Sequence, residues 1–168
     1  MRIINKRIFE GCVGFFSAHS NAKTALAVIY KVLPNLMIFA YVGLLIYAHF
    51  LAKQALPRLV GAPLGVLIVV SLLRVIINAE RPYERFGVPS VFGKQTVCKS
   101  MPSRHTASAF IIAMAVLYVS LPFGIAALVC ALLIGASRVL AGAHFLRDVL
   151  AGAGLALVSG LLAFFIIP

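Results

Sequence analysis

Acidic side chains are scarce in this sequence. Four Asp and Glu stand against fifteen Lys and Arg in 168 residues, and Asp148 is the only aspartate. So few carboxylates cannot furnish a two-metal hydrolytic centre. Cysteine is sparse too. Cys12, Cys98 and Cys130 are far apart and odd in number, which excludes a disulfide framework and a thiolate metal cluster, and leaves only a Cys12–Cys98 pairing open. Charged residues make up 11% of the chain and hydrophobic ones 62%, a balance that no soluble domain of this length needs. The net charge of +11 suits anionic headgroups and phosphate; no nucleic-acid partner is expected, because nothing resembles a nucleic-acid module.

What is abundant is apolar runs, several near the ~20 residues that carry a helix across a bilayer. The expectation is an all-α, polytopic membrane bundle of about five transmembrane helices, forming one domain over residues 1–168. The spans are placed at Leu33–Ala52, Leu59–Ile77, His105–Leu121, Ile125–Leu140 and Asp148–Ile167. The first run starts late and lacks a small-residue cleavage site, so it reads as a span and not a signal peptide. Before it, residues 1–32 form an interfacial segment. Ile4, Ile8, Cys12 and Phe15 recur at helical spacing, with Arg2, Lys6, Arg7 and Glu10 elsewhere, as in an amphipathic helix lying on the membrane. The only long polar loop is 78–103. With five spans, that loop and the Ser137–Asp148 seam fall on the same side of the membrane.

Three polar clusters meet there. In the first, Arg74 and Arg81 are seven residues apart; on a continuous helix both guanidiniums share a face, suited to gripping a phosphoryl group or to snorkelling. In the second, Pro102-Ser103-Arg104-His105 opens a helix whose free N–H groups form an anion site, with His105 placed to move a proton. The third is the seam itself. His144 and Asp148, four apart, are expected on one helix face, with Asp148 accepting the Nδ1 proton and Nε2 left as a nucleophile. Ser137 and Arg138 lie across the Gly142 turn and can close on the same anion. Continuing by fours gives Gly152, Ala156 and Gly160, a small-residue stripe that turns this face into the bundle. Each cluster alone also admits a structural reading: snorkelling arginines, a capped helix start, a His–Asp pair.

Together, in order and spacing, the three resemble the signature motifs of the type-2 phosphatidic acid phosphatase superfamily, membrane lipid phosphate phosphatases. The first motif, Lys, six residues, Arg-Pro, is matched by Arg74 and Arg81-Pro82. The second, Pro-Ser-Gly-His, is matched by Pro102-Ser103-Arg104-His105, and the third by Ser137, Arg138, His144 and Asp148. Two positions depart: Arg74 replaces lysine and Arg104 replaces glycine.

The resemblance implies a cofactor-free reaction. His144 attacks phosphorus and forms a phosphohistidine, Asp148 orients it, and His105 serves the leaving oxygen and then water. Arg74, Arg81, Ser103 and Arg138 hold the phosphoryl oxygens, with Arg104 and Ser137 as further candidates. A site at the membrane face implies a lipid phosphate whose tail stays in the bilayer. Similarity to small bacterial undecaprenyl diphosphate phosphatases puts undecaprenyl diphosphate first, ahead of phosphatidate and phosphatidylglycerol phosphate. A lipid phosphotransferase and a non-catalytic anionic-lipid binding or transport protein are the alternatives. The expected location is the cell membrane, multi-pass. Positive-inside counting favours a cytoplasmic site, the resemblance an extracytoplasmic one, and the second is taken. The sequence gives no oligomeric state.

Overall fold

The computed structural model describes residues 6–167, whose regular secondary structure is all helix, with a loop over 87–103. Helix α1 spans Lys6–Ala18. Helix α2 runs unbroken over Ser20–Leu51, with one π-helical turn at Val28–Val32. Helix α3 covers Leu56–Ile77, the short α4 Pro82–Phe86, α5 Arg104–Val119, α6 Leu121–Leu140 and α7 Leu146–Leu161.

Four stretches are long and apolar enough to cross a membrane, containing α2, α3, α6 and α7, and the 16-residue α5 is a shorter apolar helix. The helix that carries the span expected at Leu33 therefore begins at Ser20. Pro34 does not stop it, because the preceding wide turn has already loosened the hydrogen-bond ladder there. Residues 20–32, expected at the interface, are continuous with the first span, and only α1 stays separate.

Helix α5 is the axis of the bundle, packed by α2, α3, α6 and α7. Its small and branched residues from Ala107 to Ala115 are almost all buried. The outer helices instead expose Phe39, Phe50, Ile76, Leu132 and Val158, as lipid-facing surfaces do. The expected stripe packs α7 on α5. Gly152, Ala156 and Gly160 are buried, and a Cβ at Gly152 would sit 2.6 Å from the Ser103 carbonyl oxygen. That contact brings the start of α7 against the start of α5, so two motifs meet by backbone approach.

In α1 the expected apolar face, Ile8 and Phe15, is exposed, while Phe9 turns inward. Ile4 and Arg2 lie outside the described residues. Phe9 packs against Phe86 with the rings tilted and their centroids 5.4 Å apart, and it covers Gly142, whose added Cβ would meet the Phe9 ring at 2.5 Å.

Candidate active site

Asn78 decides how the first cluster is built. It ends α3 in the left-handed conformation (φ 44°, ψ 41°), so the helix does not continue to Arg81 as the seven-residue spacing suggested. Arg81 instead caps α4, with its backbone N–H donating to Glu84 Oε2 at 2.9 Å. The two guanidiniums still converge, each gripping the 87–103 loop. Arg74 Nη1 donates to the Pro102 and Ser100 carbonyls at 3.0 and 3.4 Å. Arg81 Nε donates to the Cys98 carbonyl at 3.1 Å and Nη2 to that of Lys99 at 3.4 Å. Both carboxylate oxygens of Glu84 take the Cys98 N–H at 2.9 Å, so Glu84 is committed to the loop.

Ser103 caps α5. Its N–H donates to the Asp148 carbonyl at 2.8 Å, and its Oγ accepts from Thr106 Oγ1 at 2.9 Å. His105 follows in the first turn.

The nucleophile candidate sits in a turn. Gly142 adopts φ 71°, which a side chain would strain. The N–H groups of Ala143 and His144 then fold back onto the Arg138 carbonyl at 3.0 and 3.2 Å. His144 thus precedes α7 and shares no helix face with Asp148, contrary to expectation. Asp148, in the first turn of α7, uses Oδ2 to accept the Phe145 N–H at 3.1 Å. Its Oδ2 is 3.8 Å from His144 Nδ1, too far for a direct hydrogen bond.

Ser100 fills that gap. Its Oγ is 2.5 Å from Asp148 Oδ2 and 3.2 Å from His144 Nδ1. A hydroxyl has one proton, and beside a carboxylate it donates there, so it accepts from Nδ1–H of His144. The opposite edge agrees. Arg81 Nη1 can only donate, and it lies 3.4 Å from His144 Nε2. Both constraints put the proton on Nδ1 and the lone pair on Nε2. Burial, with Arg81 adding to it, lowers the His144 pKa to about 4 despite the opposing pull of Asp148. The ring is therefore neutral at pH 7.

Arg138 is held from the other side. Its Nη2 donates to the Tyr30 carbonyl at 2.9 Å, and its guanidinium carbon lies 3.9 Å over the Tyr30 ring. The π-helical turn that contains Tyr30 lets its carbonyl serve outside the helix. Arg138 Nε is buried with no hydrogen-bond partner among the described residues, a vacant donor beside the site. Ser137 is different: its Oγ donates back to the Ile134 carbonyl at 2.7 Å, so it serves the end of α6 and is not turned to an anion.

A chamber of about 360 Å³ opens between these elements, lined by Tyr30, Lys31, Asn35, Lys94, His105 and Arg138. An apolar groove of about 190 Å³, with Met37, Leu67, Ile112 and Ile134 in its walls, descends beside it. Pro34, Ile38 and His105 line both. Arg104 lines the groove and not the chamber.

The structure thus joins His144, Asp148 and Arg81 in one bonded network and sets Arg138 and His105 on the chamber wall. Arg74, in the last turn of α3, and Ser103, at the start of α5, do not line the chamber. Sequence reasoning missed Ser100, Tyr30 and Lys94. Ser100 is two residues before Pro102-Ser103, and that adjacency was its only signal.

A family model, the PAP2 superfamily, matches residues 55–168. The chain belongs to the PAP2 superfamily. It is a PAP2-type membrane lipid phosphatase, a phosphoric ester hydrolase. A search of curated proteins finds no match. Among solved structures, Aquifex aeolicus LpxE superposes with a TM-score of 0.75 at 24% identity, covering 97% of each chain. A transmembrane PAP2-type phosphatidylglycerolphosphate phosphatase from Bacillus subtilis gives 0.50 at 24% identity, covering 96% of this chain and 77% of that one. Both likenesses concern the fold.

Proposed function

We propose that this PAP2 phosphatase works through a phosphohistidine on His144, without a metal, and that undecaprenyl diphosphate is its first substrate. The observation that carries the mechanism is the wiring of His144: Nδ1 tied through Ser100 to Asp148, Nε2 bearing the lone pair. The Nε2 lone pair attacks the terminal phosphorus and the bond from that phosphorus to the bridging oxygen breaks. His105 gives that oxygen its proton. Water then attacks the phosphorus as His105 takes a water proton, the N–P bond breaks, and inorganic phosphate leaves with His144 restored. Asp148 and Ser100 hold the ring and offset its charge while it is phosphorylated. Arg81, Arg138 and Arg74 supply the fixed positive charge that a phosphoryl transition state needs.

The groove supports a lipid substrate, since its apolar walls meet the chamber at His105, where the leaving oxygen must be. The accompanying reading of location is a cell-membrane protein with the site on the extracytoplasmic face. Labelling Cys98, in the site loop, with an impermeant thiol reagent on intact cells tests it; labelling only after permeabilisation refutes it.

The mechanism is tested by phosphate release from lipid phosphates in detergent with a chelator present, together with mass spectrometry of enzyme quenched at neutral pH. Wild type should turn over and carry an added phosphoryl group on the peptide containing His144. Equal inactivity of wild type and His144→Ala across a broad lipid phosphate panel sinks the enzyme reading.

A further inference from the structure

We infer that Lys94, Lys31 and Asn35 form a subsite for a second phosphoryl group that stays on the lipid product, which makes the substrate class a lipid diphosphate. The inference rests on the hydrolysis reading above.

His105 stands where the two cavities meet. It lines both the chamber and the groove, so it marks where the leaving oxygen is protonated. What is bonded to that oxygen must lie beside His105. In a lipid monophosphate it is a hydrocarbon, which needs only the groove. The chamber would then present Lys94, Lys31 and Asn35 to nothing. In a diphosphate it is a phosphate ester, an anion that fits the chamber, with its tail passing Pro34 and Ile38 into the groove.

The charge balance agrees. No carboxylate lines the chamber or the groove. Of the four acids in the chain, Asp148 lies behind His144, Glu84 holds the loop, Glu10 pairs with Lys6 on α1, and Glu80 is exposed between α3 and α4. Against this stand Arg138, Lys94 and Lys31 in the chamber wall. A single transferred phosphoryl group brings at most two negative charges and is already served by the arginines around His144. Lys94 feels the surplus. Burial first, then Arg81, Arg138, Arg74 and Arg104, lower its pKa to about 8. A bound anion would restore its full charge. Lys31, 5.3 Å over the Phe92 ring, and Asn35, whose amide donates to the Lys31 carbonyl at 3.1 Å, both stand on α2 at the outer wall.

Bonds balance. His144 Nε2 bonds to the terminal phosphorus, and the bond from that phosphorus to the bridging oxygen breaks. The lipid monophosphate leaves with the His105 proton on that oxygen, and water later releases inorganic phosphate from His144.

The test uses the full chain in detergent with farnesyl diphosphate and farnesyl monophosphate as probes. Wild type should favour the diphosphate in kcat/KM by about tenfold or more. In Lys94→Gln that preference should collapse toward parity, chiefly through KM, and Lys31→Gln should shrink it. Equal losses on both substrates, or no preference in wild type, overturn the subsite. If wild type releases phosphate from neither probe, the hydrolysis reading fails separately, and calorimetry with inorganic diphosphate and inorganic phosphate decides the subsite. Tighter diphosphate binding that Lys94→Gln abolishes sustains it, and equal binding of the two anions overturns it.

Discussion

Ser100→Ala isolates the contact on which the nucleophile depends. The side chain is fully buried, so no water from the chamber can replace the lost hydroxyl cheaply. Its removal leaves Nδ1 facing a carboxylate oxygen 3.8 Å away, with no bridging group. Asp148 Oδ2 keeps only the Phe145 N–H. A hydrogen bond to a charged group contributes about 1.5–3 kcal/mol. If the bond matters mostly while His144 carries positive charge in the phosphoryl intermediate, that energy raises the barrier, and kcat falls roughly 10- to 150-fold. KM should change little, because Ser100 does not line the chamber. Rapid-quench measurement of the phosphoenzyme would place the loss in its formation. Ser100→Thr, which keeps the hydroxyl, should recover part of kcat, and thermal unfolding of both variants separates lost stability from lost chemistry. A Ser100→Ala enzyme with kcat within about twofold of wild type would refute the reasoning, since a barrier change that small lies below the contribution of one such bond.

Acid should act through His144. Its folded pKa is lowered to about 4, below the ordinary value near 6.5. The unfolded chain therefore binds more protons between those values, and stability falls as pH drops through that window. Thermal unfolding from pH 7 to 4 should show this slope, and His144→Gln should lessen it. Gly152→Ala places a Cβ against the Ser103 carbonyl, while Gly154→Ala meets nothing within 4 Å. The first should cost about 1–3 kcal/mol in detergent unfolding and most of the activity, and the second should be silent. Arg138→Lys keeps the charge but loses the planar stack on Tyr30 and the fork, so kcat should fall by roughly 10²-fold with the fold intact.

Some of this was legible in the chain because it rests on local spacing. Gly152, Ala156 and Gly160 recur by fours, and the helix they lie on does bury them against α5. Arg138 and His144 flank a glycine that must turn. Where spacing misled, a backbone conformation intervened. Asn78 ends α3, and an asparagine followed shortly by Arg-Pro was a readable stop signal. His144 and Asp148 looked like a helical pair, yet the helix starts between them at Leu146. The rest is invisible to periodicity. Ser100 sits in a loop and meets Asp148 across 48 residues, and Tyr30 meets Arg138 across 108. Only the folded bundle brings such pairs together.

Helix α2 forms one wall of both the chamber and the groove through Tyr30, Lys31, Pro34, Asn35, Met37 and Ile38. It ends at Leu51, and the family match begins at residue 55. One wall of the chamber and the groove therefore lies outside the matched stretch, while Lys94, Leu67, Ile112 and Ile134 on the facing walls lie within it. Residues 55–168 hold His144, Ser100, Asp148 and the arginines. The helix before them can change the shape of both openings through Pro34 and Ile38 without touching the bonds around His144. A chimera that exchanges residues 20–51 between two relatives would move substrate preference with the exchanged helix.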